Sequence, residues 1–363
     1  MILNDYKIDY PPFTLPNREP VRITADQDGE KLTSLNVFYG YTHKGIEKIL
    51  TATPYKDVYF YMEHLNNFDR ASVLYNYLHL YETAAGITVA EETEILRLVI
   101  LETARIRCHL KSLNEIGRLL DIGEMIKITA AMLKETYGIM DTGDEPAMTV
   151  GDINAKFKDD DFAPHLTSFL KTVFRKAIKG LGNIFKNNSL LKKRLEGMGI
   201  LSAEDARNYG ITGVNLRACG VKYDTRTQNP YGAYSLLPPF VPTGEGGDAY
   251  TRYRLRLEEI FASYLLINSA AEKIKPATTK TVPASDGNAI PPPGFYDAVT
   301  ETPYGEMRIY LRSSDKHTPE RIRISSPSLN ALTAFKKAAA AHFVSDIPII
   351  LNSFNIAFSE IDK

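Results

Sequence analysis

The chain has 363 residues with 43 basic and 44 acidic side chains, a near-neutral balance that excludes the concentrated basic surface favoured by nucleic-acid binding. Its 44% hydrophobic share suits a globular core, and no apolar run approaches the ~20 residues needed to span a bilayer. Two cysteines, Cys108 and Cys219, fall short of the roughly four thiolates that a cubane iron–sulfur cluster or a nickel–iron centre requires, and the seven histidines show no zinc spacing, so no metal held by the chain's own ligands is expected.

The N-terminus, MILNDYKIDYPP, carries acids and lacks a signal-peptide apolar region, which suggests a soluble or peripheral intracellular protein. Residues 1–20 are Pro-rich and read as extended. Residues 21–37 read as two strands joined at the Asp-Gly of DQDGE, a hairpin signal. Gly40 and Gly45 bracket a turn carrying His43 and Lys44, and Ile46, Ile49 and Leu50 begin a short helix ended before Pro54. The stretch 57–81 is dense in aromatics, most of them expected in the core, and AAGITV (84–89) reads as a helix end with a glycine stop.

Residues 90–120 give the clearest helix, with Ile95, Leu98, Val99, Ile106, Leu110 and Leu113 at helical spacing. Glu102, Arg105 and His109 share a face and read as a salt-bridged solvent stripe; the competing possibility is a buried polar stripe lining a cavity. A second helix is expected from about Glu124 to Tyr137, a Gly-, Asp- and Pro-rich loop over 138–165, and a basic helix from Thr167 to Leu195. Residues 196–260 read as loops and strands followed by a helix opened by GEGGD, with Ser202 as a cap. Arg217, Asp224 and Arg226 lie among Gly, Tyr and small residues, a setting in which charges pair in a partly buried network. After a Pro-rich loop at 273–300 come two strands (Gly305–Leu311 and Arg321–Ser325), a helix (Leu329–Ala341) and the apolar segment IPIILNSFNIAF.

This order of pieces resembles the hydrogenase-like large subunit of respiratory complex I, its D subunit, and the large subunits of membrane-bound nickel–iron hydrogenases and their energy-converting relatives. The most specific portion is GILSAEDARNYGITGVNLRACGVKYDTRTQNPYGAY followed by GDAYTRYRLRLEEI; GYTHKGIEK, RLVILETARIRCHL, LDIG, TETPYGEMRIYLRSSD and FSEIDK agree on either side. The resemblance implies an α+β, hydrogenase-large-subunit-like fold with a central helical bundle and small peripheral sheets. Its organisation would be an extended segment and hairpin (1–40), a helical core with cavity-lining loops (41–272), the Pro-rich loop (273–300) and a C-terminal α+β portion packing back on the core (301–363).

The same resemblance implies a subunit of an NADH:quinone-oxidoreductase-like, ion-translocating complex. It would sit peripherally on the cytoplasmic side of the inner membrane, beside a small iron–sulfur (B-type) subunit, a C-type subunit, a membrane H-type subunit and antiporter-like subunits. A [4Fe-4S] cluster would belong to the iron–sulfur partner, and quinone would bind between the two. Carried over position by position, Tyr61 falls on the tyrosine that hydrogen-bonds the headgroup and Asp121 on an acidic residue of the same cavity. His43 and Lys44 fall on the His-Arg turn near the partner's cluster, where lysine keeps the charge but not the planar fork of arginine.

Three departures stand out. Thr14 and Arg18 occupy the places of two family histidines. The paired Cys-x-x-Cys motifs of hydrogenases, expected near Arg70–Tyr81 and Asn352–Lys363, are absent, which excludes hydrogen activation on ligand count. The segment Gly138–Asp144 lacks the family histidine beside the cluster. The alternative implied by these losses is a hydrogenase-related subunit that has shed its metal and serves as a scaffold or coupling element without quinone chemistry.

Overall fold

The computed structural model describes residues 6–12, 19–140, 149, 166, 174–274, 289–340 and 342–363. Thr14, Arg18 and residues 141–144 lie outside this set. Strands β1 (Tyr6–Tyr10), β2 (Arg22–Asp28) and β3 (Lys31–Phe38) form an antiparallel sheet in that order. The Asp-Gly signal marks the β2–β3 turn, where Gly29 takes φ +62°, a left-handed backbone that disfavours a Cβ. β1, in the stretch read only as extended, pairs with β2 from Tyr6↔Gln27 to Tyr10↔Ile23.

Helices α1 (Ile46–Leu50), α2 (Val58–Met62), α3 (Arg70–Ala84), α4 (Glu91–Leu119) and α5 (Gly123–Met140) follow. The Asp69 side chain caps α3 by accepting from Ser72 N. Glu91, Glu92 and Glu94 sit in the first turn of α4, where acids complement the helix dipole; at 1.5 Å per residue α4 is about 44 Å long. Of the long basic helix expected to Leu195, residues 167–173 are outside the described set. The remainder is split into α6 (Arg175–Asn187) and α7 (Ser189–Leu195) at Asn188, whose ψ of 103° leaves the helical region and whose side chain caps α7 by accepting from Leu191 N.

The strands expected between 196 and 248 are absent. That stretch forms loops, a 3-10 turn and the short helices α8 (Ala203–Asn208), α9 (Gly213–Arg217) and α10 (Thr225–Gln228). Ser202 and Asp224 accept backbone N–H bonds that start single helical turns, and left-handed glycines at 210, 213 and 220 interrupt any extended run. Asp248 then caps α11 (Ala249–Lys273).

The second antiparallel sheet is β4 (Gly294–Thr302), β5 (Gly305–Ser313) and β6 (Arg321–Ser325). β4 corrects the reading of 273–300 as loop to its end: the Pro run stops at Pro293, and the next residue already pairs, Gly294 with Ser313. The β4–β5 turn packs on α9 so closely that a Cβ at Gly213 would lie 2.7 Å from Gly305 Cα. Helices α12 (Pro327–Ala339), α13 (Ile347–Phe354) and α14 (Phe358–Ile361) complete the chain. The molecule is therefore α+β, with helices at the centre and two small sheets.

Two apolar clusters dominate. The larger joins α3, α4, α5 and α11 to the second sheet through residues such as Val99, Leu110, Ile260 and Ile309. The other joins the N-terminal sheet to the C-terminal helices through Ile23, Val37, Phe335, Ile350 and Phe354. The two ends of the chain thus meet, which puts the Gly40–Gly45 turn against the C-terminal tail. Among the described residues no helix is long and apolar enough to cross a membrane.

Candidate functional site

The turn is built by Asp362. Its carboxylate accepts from Gly40 N (2.7 Å), Thr42 N (2.9 Å) and Thr42 Oγ1 (2.6 Å), and His43 Nδ1 lies 3.0 Å from its carbonyl oxygen. Lys44 and His43 are exposed. Lys44 Nζ donates to the His64 carbonyl (2.8 Å), and His64 N in turn donates to Tyr61 O, so the turn is tied to the end of α2. Tyr61 there is 40% exposed and its neighbour Phe60 47%. From Tyr61 the chain passes exposed His64 and Asn67 to half-buried Phe68. His43, Lys44 and Tyr61 therefore share one neighbourhood. Asp121 stands apart: it is exposed beyond the end of α4 at φ +52°, a left-handed conformation that aspartate tolerates better than most residues, and no hydrogen bond links it to the other three.

A cavity of about 40 Å³ lies behind Phe68, walled also by Cys108, Ser112, Glu115, Tyr304 and Asn355. It also touches Asn352 and Phe358, within the window where the second cysteine pair was sought, and Phe68 lies two residues before the first window. The thiols present do not replace those pairs. Burial pushes Cys108 up to about 12 and Cys219 up to about 11, so both stay protonated at neutral pH, whereas the thiolate is the metal-binding form. Among the described residues no three His, Cys, Asp or Glu side chains gather as a metal site. The volume suits about three water molecules and is far below the roughly 300 Å³ at which small-molecule pockets begin.

Behind the cavity the α4 stripe proves to be buried, not solvated: Glu102, Arg105 and His109 are 0%, 2% and 0% exposed. α11 and the β4–β5 sheet cover that face and supply the countercharges. Glu102 accepts from Arg226 Nη1 (3.1 Å), Tyr234 Oη and Ser263 Oγ (2.5 Å each). Arg226 forks onto Asp224 at 2.9 and 2.7 Å. Arg217 bonds Glu259, Asp224 (3.2 Å) and Glu301 (3.0 Å), and Arg105 Nη2 donates to the Glu301 carbonyl (2.6 Å). His109 Nε2 lies 2.8 Å from Glu259 Oε2.

Three guanidinium groups thus face four carboxyls. Burial opposes ionisation of Glu102 and Glu259, but the arginines outweigh it and both lie below the ordinary carboxylate value. Glu301 is raised, by burial and then by the Asp224 charge. Burial lowers His109 to about 4, so its ring is neutral. The sequence signalled Arg217, Asp224 and Arg226, but not Glu259 and Glu301, which sit in otherwise ordinary helix and strand context.

A separate carboxyl, Glu360, is fully buried with neutral partners: Asn66 Nδ2 (2.6 Å), Ser326 Oγ (2.7 Å) and Ser328 Oγ (2.8 Å). Burial pushes it up to about 7. Asn66 Oδ1 also accepts from Phe68 N (2.8 Å) and Asp69 N (3.0 Å), so Glu360 fixes the loop that reaches the cavity.

A family model described as "Respiratory-chain NADH dehydrogenase, 49 Kd subunit" matches residues 146–293 and 279–363. Three curated proteins, each named as the D subunit of an NADH-quinone oxidoreductase, are similar over nearly the whole chain. That of Trichlorobacter lovleyi is 30% identical over 383 residues, covering 94% of this chain and 95% of its own. That of Bacillus cytotoxicus is 29% identical over 356 residues, covering 94% of each. That of Ruthia magnifica is 27% identical over 420 residues, covering 99% of each.

Proposed function

The chain belongs to the family of the 49 Kd subunit of respiratory-chain NADH dehydrogenase, and on that premise we propose that it is the hydrogenase-like D subunit of a complex I-type NADH:quinone oxidoreductase. The observation that carries this is the similarity to the three relatives along nearly their full length. The same observation disfavours a metal-free scaffold without quinone chemistry. The complex would be membrane-associated and ion-translocating, with this chain peripheral on the cytoplasmic side. Its neighbours would be the B-type iron–sulfur, C-type, membrane H-type and antiporter-like subunits. A [4Fe-4S] cluster in the B-type partner would supply electrons.

The cavity of about 40 Å³ is too small to enclose a quinone headgroup. The headgroup lies instead along the surface strip from Tyr61 to Phe68, where Phe60 and Tyr61 are exposed, closed by a partner subunit. There the exposed Tyr61 hydroxyl is free to donate to a carbonyl oxygen of the quinone. Lys44, held to the His64 carbonyl, adds positive charge beside it as electrons arrive. Asp121, beyond the end of α4 and apart from the strip, is the acidic residue that the resemblance assigns to the quinone site, and His43, buttressed by Asp362, faces the iron–sulfur partner.

The test is quinone reductase activity of the purified complex carrying Tyr61→Phe or Asp121→Asn. Each variant is expected to lose roughly 100-fold in turnover. Wild-type turnover in both variants, or none in the unmutated complex, overturns the assignment.

A further inference from the structure

α4 and α11 meet along a polar seam. On α4, Glu102, Arg105, His109, Ser112 and Glu115 follow one another at spacings of three or four, and on α11 so do Tyr253, Arg256, Glu259 and Ser263. From Glu102 to Glu115 the seam runs about 20 Å. Its two halves differ. At the Glu102 end the side chains are tied together: Ser263 to Glu102, His109 to Glu259, Arg217 to Glu259. Toward Glu115, five buried atoms have no hydrogen-bond partner: His109 Nδ1, Ser112 Oγ, Tyr253 Oη, and Arg256 Nε and Nη1.

Arg256 is 1% exposed and pairs with no carboxylate among the described residues; its remaining Nη2 donates to the Ser353 carbonyl (2.6 Å). It lies within electrostatic reach of Glu259 at one end and of Glu115 and Tyr304, in the cavity wall, at the other. Ser112 and Glu115 are themselves in that wall, as is Asn355, whose Nδ2 is likewise unpartnered. Buried polar groups in folded proteins are paired with protein or with ordered water. The occupant of this seam must accept from Arg256 and also donate to His109 Nδ1, which is the acceptor of a neutral ring whose Nε2–H faces Glu259. Water does both; a small anion cannot donate.

We infer that hydrogen-bonded water runs from the cavity at Ser112 and Glu115, past Arg256 and Tyr253, to Nδ1 of His109, and makes His109 a buried protonation site in contact with the cavity. The ring is faced by Glu259 and Arg256 from α11 and by Arg105 on its own helix, while Arg217 holds Glu259 from α9. A proton delivered at Nδ1 leaves the ring donating at both nitrogens, to water on one side and to Glu259 Oε2 on the other. Its return along the same file restores the neutral ring. The use of this path in turnover rests on the quinone assignment above; the water file does not.

The experiment is a high-resolution cryo-EM map of the intact complex, unmutated and with Ser112→Val, together with the pH profile and solvent deuterium effect of quinone reduction. Ordered waters bonded to Ser112 Oγ, Arg256 and His109 Nδ1 are expected in the unmutated map and are lost in S112V. A dry seam, or one dense non-water peak at Arg256, overturns the water file. With the waters lost, S112V turnover is expected to fall roughly 100-fold with an altered pH profile and a larger deuterium effect. An unaltered rate and profile in that variant overturn proton transfer through the seam. A hydrated seam in a complex that never reduces quinone leaves the file standing and rejects the quinone assignment alone.

Discussion

In the buried cluster around the seam between α4 and α11, Glu102, Asp224, Glu259 and Glu301 each have a guanidinium within 4.0 Å. Along the strip from Gly40 to Phe68, Lys44 and His43 instead contact backbone carbonyls and face solvent, next to exposed Tyr61 and Phe60. Inside, low dielectric makes each charge depend on its partner, so the cluster fixes geometry. Outside, the charges cost little to leave unpaired and remain available to a partner chain or ligand. The interior therefore governs stability and the strip governs encounter.

The sharpest way to break this contrast is to remove a shared cation from the interior. Arg217→Met takes the shared cation from Glu259, Asp224 and Glu301 and is expected to cost about 3–5 kcal/mol in denaturant unfolding. A loss near zero would mean that the cluster is solvated.

The second test uses pH. Glu360, at about 7 in the fold against an ordinary 4.5, binds its proton more tightly folded than unfolded, so its contribution is complete below pH 4.5 and is lost as pH rises through 7. His109, at about 4 against 6.5, does the reverse: its contribution is present above pH 6.5 and is lost as pH falls through 4. Between pH 4.5 and 6.5 the two slopes oppose each other. Glu360→Gln should expose the His109 slope, with stability falling by about 3 kcal/mol on acidification. His109→Gln should expose the opposite slope. Parallel profiles for the two variants, measured by unfolding across pH 4–8, would reject the assignment.

A smaller effect is expected where interior and strip meet. Asp362→Ala releases three donors of the Gly40–Thr42 turn and should cost about 1–3 kcal/mol, with faster hydrogen exchange confined to the turn and the tail. The smallest stability effect belongs to Lys44→Met, which should leave the unfolding midpoint unchanged while lowering quinone turnover. A shifted midpoint would mean that Lys44 is a structural residue.

The contrast also explains what was legible in the sequence. The spacing of Glu102, Arg105 and His109 announced a stripe, but its burial depended on Glu259 and Glu301, which arrive from 150 or more residues away. Arg217, Asp224 and Arg226 announced themselves as charges among small residues and aromatics. The hairpin glycine and the Ser202 cap were readable because they act locally. β4 was hidden by the prolines before it, and strands expected after 196 lost to local capping by Ser202 and Asp224. The cavity was not readable at all, because its wall draws on segments near 68, 108–115, 304 and 351–358.

Everything proposed for turnover depends on quinone lying against the strip and not inside the chain. The most direct measurement is photo-crosslinking of the intact complex with a photoreactive quinone, competed by excess unlabelled quinone, followed by peptide mapping. The expected result is competed labelling within residues 58–68, lost when Tyr61→Phe weakens binding. Competed labelling confined to other parts of this chain, or to other subunits altogether, would contradict it.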